Sequence, residues 1–289
     1  MLVNLKTILK IAEAKGCAVG SFNTPNLESI EAVIGAAEEL NYPVIIMHAQ
    51  IHEEMDICKV AVIGKIMIMM AERAKVPVCV HLDHGTDLSY LKKALDVGFT
   101  SVMFDGSELD YASNCANTCV AVEMAKKYGA SVEAEIGTMG AREGGGVGGQ
   151  SIYTDPETAK KFVADTGIDA LACAFGTAHG VYTTKPVLDF ERVSKIAKLV
   201  DVPLVMHGGS GVSEEDYKEV ISRGIRKVNY YTYMAKSGGE AIEKMNNTTF
   251  YHDIAVKAKI AMYENAKSAM KIFMQSKEKN EDHFSKYYE

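Results

Sequence analysis

VCVHLDHG at residues 78–85, LSYLKKALDV at 88–97 and GFTSVMFD at 98–105 decide how this chain is read. An apolar run rich in valine is followed by an amphipathic segment, then glycine, then a second β-branched and aromatic run. That is strand, helix, strand, with Gly98 at the favoured place for a left-handed helix end. A helix crossing between two strands makes them parallel. The same rhythm recurs along the chain. Strand candidates are Ala18–Asn23, Val44–His48, Val78–Asp83, Ser101–Asp105, Ser131–Ile136, Ala170–Phe175, Pro203–His207 and Lys227–Tyr231. Between and after them lie helix candidates at Leu27–Leu40, Ile57–Ala74, Leu88–Val97, Ala112–Tyr128, Pro156–Thr166, Phe190–Val200, Glu214–Arg223 and Met234–Asn246. Eight such units in about 240 residues predict an α/β fold, a closed (β/α)8 TIM barrel rather than an open sheet.

The punctuation agrees. Asn23-Thr24-Pro25-Asn26 and Thr154-Asp155-Pro156-Glu157 place capping residues beside proline at helix starts. Gly98, Gly129, Gly167 and Gly224 each fall between a helix and the next strand. Asp189 and Ser213 are N-cap candidates. Two stretches break the rhythm. Gly137–Tyr153 is a long glycine-rich insertion, the length of a functional lid. Tyr251–Gln275 adds a C-terminal helical extension, and 276–289 reads as a charged, frayed tail. Residues 1–289 are expected to form a single domain.

Bulk properties narrow the function. The net charge of −7 leaves no basic footprint for nucleic acid. No apolar run nears the ~20 residues that a membrane helix needs. The first ten residues are amphipathic, with lysines, rather than a signal-peptide core. Six scattered cysteines without a CxxC pair are expected to be reduced thiols, as in a cytoplasmic protein.

Chemistry gathers at the strand ends. His84, His179 and His207 each follow a strand candidate and each is followed by glycine. In a barrel those ends share one mouth, so three imidazoles can meet as ligands of a zinc with an open position. Asp83 precedes His84 and can accept and return a proton beside a dication. Asp105 and Glu135 add carboxylates at the mouth, as second-metal ligands or as ion-pair partners. Gly208, Gly209, Ser210 and Gly211 make an anion cradle, aided by the helix that opens near Ser213, with Asn229 and Thr232 completing it.

These motifs together resemble the class II, zinc-dependent ketose-bisphosphate aldolases, of fructose-1,6-bisphosphate and tagatose-1,6-bisphosphate type. The matching stretches are HLDHG (81–85), GFTSVMFDGS (98–107), VEAEIG (132–137), YTDPE (153–157), GTAHG (176–180), HGGSG (207–211) and KVN (227–229). The likeness runs from about Leu5 to Gln275. It implies a TIM barrel, Zn2+ on His84, His179 and His207, and Asp83 as the group that exchanges a proton with the oxygen on carbon 4. It places Glu143 as the carboxylate that exchanges the proton on carbon 3. Glu135 and Asp105 match positions that ligate a displaced or second metal. Asn23, Gly180, Gly208, Gly209, Ser210, Asn229 and Thr232 match substrate and phosphate contacts, with a monovalent cation (Na+ or K+) near Gly180 and Gly208. The implied reaction is reversible cleavage of a small-molecule sugar phosphate, a bisphosphate or a ketose 1-phosphate, to dihydroxyacetone phosphate and an aldehyde. A homodimer or homotetramer is implied as well.

The chain departs from the family pattern on the aldehyde side. Tyr231 stands where fructose-bisphosphate enzymes carry a small polar or acidic residue, Lys236 lies one step from a frequent basic position, and His48 and Gln50 replace small residues. These four are the specificity candidates. Two other chemistries compete. A zinc hydrolase acting on a sugar phosphate would use the same histidines to activate water. A Schiff-base aldolase would need a lysine inside the barrel, and the strand candidates offer only Lys227, near the wrong end of its strand.

Overall fold

The computed structural model describes residues 1–137, 153–180, 182, 185–245 and 250–274. The elements in order are β1 (Leu2–Val3), α1 (Leu5–Lys15), β2 (Val19–Asn23), α2 (Leu27–Glu39), β3 (Val44–Ala49), α3 (Gln50–Glu54), α4 (Val60–Arg73), β4 (Val78–Gly85), α5 (Leu88–Val97) and β5 (Ser101–Phe104). They continue with α6 (Tyr111–Lys126), β6 (Ser131–Ile136), α7 (Pro156–Thr166), β7 (Ala170–Cys173), α8 (Phe190–Leu199), β8 (Leu204–Met206), α9 (Glu214–Ser222), β9 (Ile225–Tyr230), α10 (Thr232–Glu243) and α11 (Tyr251–Phe273). Strands β2 to β9 pair in parallel in chain order, β9 returns to β2, and β4 pairs with β5, so the sheet closes. The barrel and its C-terminal helical extension are those expected.

Local chemistry sets the element ends. Asp155 accepts the amide of Thr158 ahead of Pro156, and Asp189 and Ser213 accept those of Arg192 and Asp216. At the first proline motif the cap is Asn26, in a reciprocal box with Ser29, rather than a residue before Pro25. Gly98, Gly129, Gly167 and Gly224 all take positive φ. Three elements were not anticipated: β1, α1 and the short α3. The amphipathic start of the chain forms α1, whose Leu5, Ile8, Leu9 and Ala12 pack on Val19, Ile45, Cys79 and Val205 inside the barrel. A helix thus plugs the N-terminal end of the lumen. The candidate strands Pro203–His207 and Ala170–Phe175 shrink to three and four residues.

Above the apolar plug the lumen turns polar. Lys227, on β9, is fully buried with its side chain in the barrel, not at a wrong end of the strand. Its Nζ lies 2.8 Å from Glu133 Oε2 and donates to Asn229 Oδ1 at 2.7 Å. Glu133 Oε1 in turn meets His207 Nε2 at 2.7 Å. His81 stands beside the pair, 3.6 Å from Glu133 Oε2, with its Nδ1 2.8 Å from Ser101 Oγ. Buried charges persist when paired and further hydrogen-bonded, and both conditions are met here. Outside the strands, the larger apolar cluster lies between sheet and helices.

The extension belongs to this core. α11 packs along α2 and α10. Its last residue, Phe273, is buried with its ring centroid 5.0 Å from Tyr217 and 6.2 Å from Tyr230. The Phe273 carbonyl also accepts the Ala18 amide at 3.1 Å. All six cysteines are free thiols. Among the described residues no helix is long and apolar enough to cross a membrane.

Two stability measurements test this account. Phe273→Ala should lower the unfolding free energy by about 3–5 kcal/mol in urea titrations, because it empties a filled core position. Lys227→Met should cost about 3–5 kcal/mol by stranding Glu133, and adding Glu133→Leu should recover more than half of that loss.

Candidate metal and catalytic site

The three histidines reach one point from three strand ends. His84 lies in β4 at φ 46°, a left-handed conformation for a non-glycine residue. That bend breaks the inward–outward alternation, so the neighbours Asp83 and His84 both face the mouth. His179 comes from the segment after β7 and His207 from just beyond β8. The last two are pressed together by Gly208. At φ 61° a Cβ there would sit 2.4 Å from the Ala178 carbonyl oxygen, so only glycine lets the two loops meet.

His84 Nε2 lies 3.2 Å from His179 Nε2 and 2.9 Å from His207 Nδ1. His84 Nδ1 faces Asp105 Oδ2 at 2.8 Å, and His207 Nε2 faces Glu133. Those acceptors fix the protons on the outer nitrogens and leave lone pairs on the inner ones. Inner nitrogens on one tetrahedral zinc would stand about 3.3 Å apart. Facing lone pairs at such separations repel unless a cation lies between them, so the donor set fits a divalent metal. A second set, His84 with Asp105 and Glu135, also brings its ligand atoms within 4.8 Å of one another.

The surrounding charges favour the same occupant. Burial alone would lower His84, but Asp83, Asp105 and Glu135 outweigh it and raise its pKa to about 10, so these carboxylates call for a positive charge at His84, which a metal on the Nε2 lone pair would supply in place of a second proton. Burial pushes Asp83 up, yet His84, His207, Lys227 and the Asn23 bond overcome this and bring it to about 2. His207 and His81 are pushed well below the usual imidazole range, chiefly by burial. Asp105 is held low despite burial by His84 and by the hydroxyl and amide of Ser107.

Asp83 is a positioned carboxylate. Its Oδ1 accepts Asn229 Nδ2 at 2.9 Å and its Oδ2 accepts Asn23 Nδ2 at 3.2 Å. Because Lys227 holds Asn229 Oδ1, the amide can only present its NH2 to Asp83. Asn23, Met47, Asp83, His179, Gly180, Gly208, Gly209, Ser210, Asn229, Tyr231 and Thr232 share the lining of one pocket.

The anion cradle differs in detail from expectation. The Gly209 amide is committed to the Asn229 carbonyl at 3.1 Å, and Ser210 Oγ accepts the Tyr231 amide at 3.0 Å. The Gly208 carbonyl already accepts the Tyr182 hydroxyl at 2.8 Å. The helix after Ser213 does not supply the positive end, since Ser213 caps α9 and three acids crowd its first turn. The pocket instead meets the start of α10 at Thr232, which has no side-chain cap.

The specificity candidates separate. Tyr231 lines the pocket. His48 does not: it is fully buried on the outer face of β3, its Nε2 2.8 Å from the Tyr90 hydroxyl. Gln50 bridges the Thr86 amide (3.0 Å) and Glu54 (2.9 Å) at the rim. Lys236 points along α10 to Glu240 at 3.6 Å. Glu143 lies outside the described residues. Sequence reading missed His52, which is buried on α3 with its ring centroid 5.3 Å from that of Tyr231.

Comparison with known proteins agrees with this geometry. A sequence model of the family described as "Fructose-bisphosphate aldolase class-II" matches residues 3–279. A "Probable fructose-bisphosphate aldolase" of Bacillus subtilis (strain 168) is 40% identical over 244 residues, 84% of this chain and 86% of that protein. The crystal structure of the YdjI aldolase from Escherichia coli K12 is 36% identical with a TM-score of 0.85, covering 94% of this chain and 97% of that one. A putative fructose-1,6-biphosphate aldolase from Coccidioides immitis is 28% identical with a TM-score of 0.86, covering 93% and 96%. With its three converging histidines and its asparagine-held aspartate, the chain belongs to the class II fructose-bisphosphate aldolase family.

Proposed function

We propose that this protein cleaves a phosphorylated ketose reversibly to dihydroxyacetone phosphate and an aldehyde, with zinc on His84, His179 and His207. The observation that carries the assignment of roles is Asp83, ionised, fixed by two amides and 3.9 Å from His84 Nε2. A metal bound to the triad supplies Lewis acidity, polarising a ketone oxygen. Asp83 takes the proton from the carbon-4 hydroxyl, and the carbon 3–carbon 4 bond breaks as the aldehyde carbonyl forms. Glu143 delivers a proton to carbon 3 of the donor half; Asp83 then releases to water the proton it took and Glu143 takes one from water, so the hydroxyl loses one proton and carbon 3 gains one. Asn23 and Asn229 keep the Asp83 lone pairs aimed throughout. Asp105 orients His84 through its Nδ1–H, and Glu133 does the same for His207. Gly180, Gly208, Ser210 and Thr232 bind the phosphate of the donor half.

Lys227 sits in the lumen, but its ammonium is held by Glu133 and Asn229 beneath the site. That favours the metal route over a Schiff base. The outward face of α11, with Tyr251, Val256 and Ile260 exposed, supports a homodimer or homotetramer. Reduced thiols suit a cytoplasmic setting.

Chelation should abolish dihydroxyacetone phosphate production from fructose or tagatose bisphosphate or from a ketose 1-phosphate, and added zinc should restore it. Loss of activity to borohydride plus substrate, with chelator ineffective, would reverse this reading. Inorganic phosphate in place of dihydroxyacetone phosphate would make the protein a hydrolase. Asp83→Asn should lower kcat by roughly 10^2–10^4-fold, the usual worth of a positioned acid–base group. Its metal content, measured by elemental analysis, should stay at the wild-type level.

A further inference from the structure

We infer that His52 and Tyr231 form the wall of a subsite for an uncharged aldehyde, so that the preferred ketose carries a phosphate on carbon 1 only. This rests on the aldolase reading above and assigns its acceptor half.

Tyr231 sits at the junction of β9 and α10, and its amide donates to Ser210 Oγ at 3.0 Å. The ring shares the pocket lining with Met47, Asn23 and Asp83. His52 lies behind it, 3% exposed, its ring tilted 54° to that of Tyr231. A sugar anchored by its phosphate at Gly208–Ser210 and cleaved beside Asp83 extends its remaining carbons past Asp83. The residues that line the pocket there are Met47 and Tyr231, with the His52 ring packed against that of Tyr231.

A phosphoryl dianion at that end would need cations or free amide donors. Among the described residues no lysine or arginine lines the pocket. Lys93, the cation paired with α3, is tied to Glu53 at 2.6 Å. Lys236 is turned to Glu240. Burial lowers His52 from the ordinary imidazole value, so at neutral pH it brings no compensating charge. The Tyr231 ring, backed by His52, and the Met47 thioether suit instead the C–H faces and hydroxyls of a neutral aldehyde.

The wall is braced from behind. Glu53, next to His52, accepts the Tyr90 hydroxyl and the Val60 amide, both at 2.8 Å. Tyr90 also meets His48 Nε2 at 2.8 Å. His48 therefore acts as a positioning residue for α3 rather than touching substrate.

The test is condensation of dihydroxyacetone phosphate with glyceraldehyde or with glyceraldehyde 3-phosphate by the zinc-loaded wild-type protein. Solvent exchange of the dihydroxyacetone phosphate carbon-3 proton is followed alongside. The kcat/KM for glyceraldehyde should exceed that for the phosphorylated aldehyde at least tenfold. His52→Lys and Tyr231→Arg should each narrow that ratio at least fivefold, mainly through KM for the phosphorylated aldehyde, whereas His52→Gln should keep it. Two charge-introducing variants guard against one failing to fold. If the donor proton exchanges but the wild type prefers glyceraldehyde 3-phosphate, or neither charged variant shifts the ratio, the subsite assignment falls and the aldolase reading stands. If there is neither exchange nor condensation, both fall.

Discussion

The pairing of Lys227 with Glu133 is the interaction on which the site depends. Both groups are fully buried, so each needs the other. Once paired, their remaining hydrogen-bonding capacity is spent upward. Glu133 fixes the proton of His207 on the far nitrogen, and Lys227 fixes which way the Asn229 amide points. One ion pair thus sets both a ligand lone pair and the direction from which Asp83 is held. Such a pair contributes little net stability against an apolar isostere. Its return is in orientation, because it removes the alternative tautomer and the alternative amide flip.

Polarity in the lumen is layered. α1 seals one end with leucine and isoleucine, which keeps water from Lys227 and Glu133 from below. The charged layer sits on that seal, and the histidines and Asp83 sit above it. The left-handed His84 and the close approach at Gly208 are local departures from regular geometry. Both serve to bring side chains from separate strands to a common point, where backbone strain recurs in proteins.

Much of this was legible in the sequence. Alternating periodicity gave the barrel, and caps and glycines placed the helix ends to within a few residues. The triad could be seen because each histidine follows an apolar run. What was not legible has physical causes. A two-residue strand and a five-residue helix carry too little periodicity to register. His48 reads as a specificity candidate because its phase in the strand is not fixed by the run itself: with Ile45 and Met47 turned inward, the next residue, His48, faces the helices. His52 lay in a segment with no pattern of its own. Lys227 reads as near the wrong end of its strand because the candidate strand begins with it, whereas β9 begins at Ile225 and the buried partner that holds the lysine, Glu133, is distant in sequence. The committed amide of Gly209 is a tertiary fact that a glycine-rich motif does not announce, whereas the acids that crowd the start of α9, Glu214, Glu215 and Asp216, stand in the sequence itself.

The placement of α3 has a consequence for how such a protein changes over time. The three converging histidines and their partners come from β4, β6, β9 and the segments after β5, β7 and β8, whereas one side of the proposed acceptor wall is backed by a five-residue helix with its own anchoring through Glu53, Tyr90 and His48. On that proposal the helix is a separable element of the site. Under the proposed subsite, mutational drift in it would redirect which aldehyde is accepted without touching the histidines or Asp83, so new sugar chemistries would arise from this barrel by exchange of a single short segment.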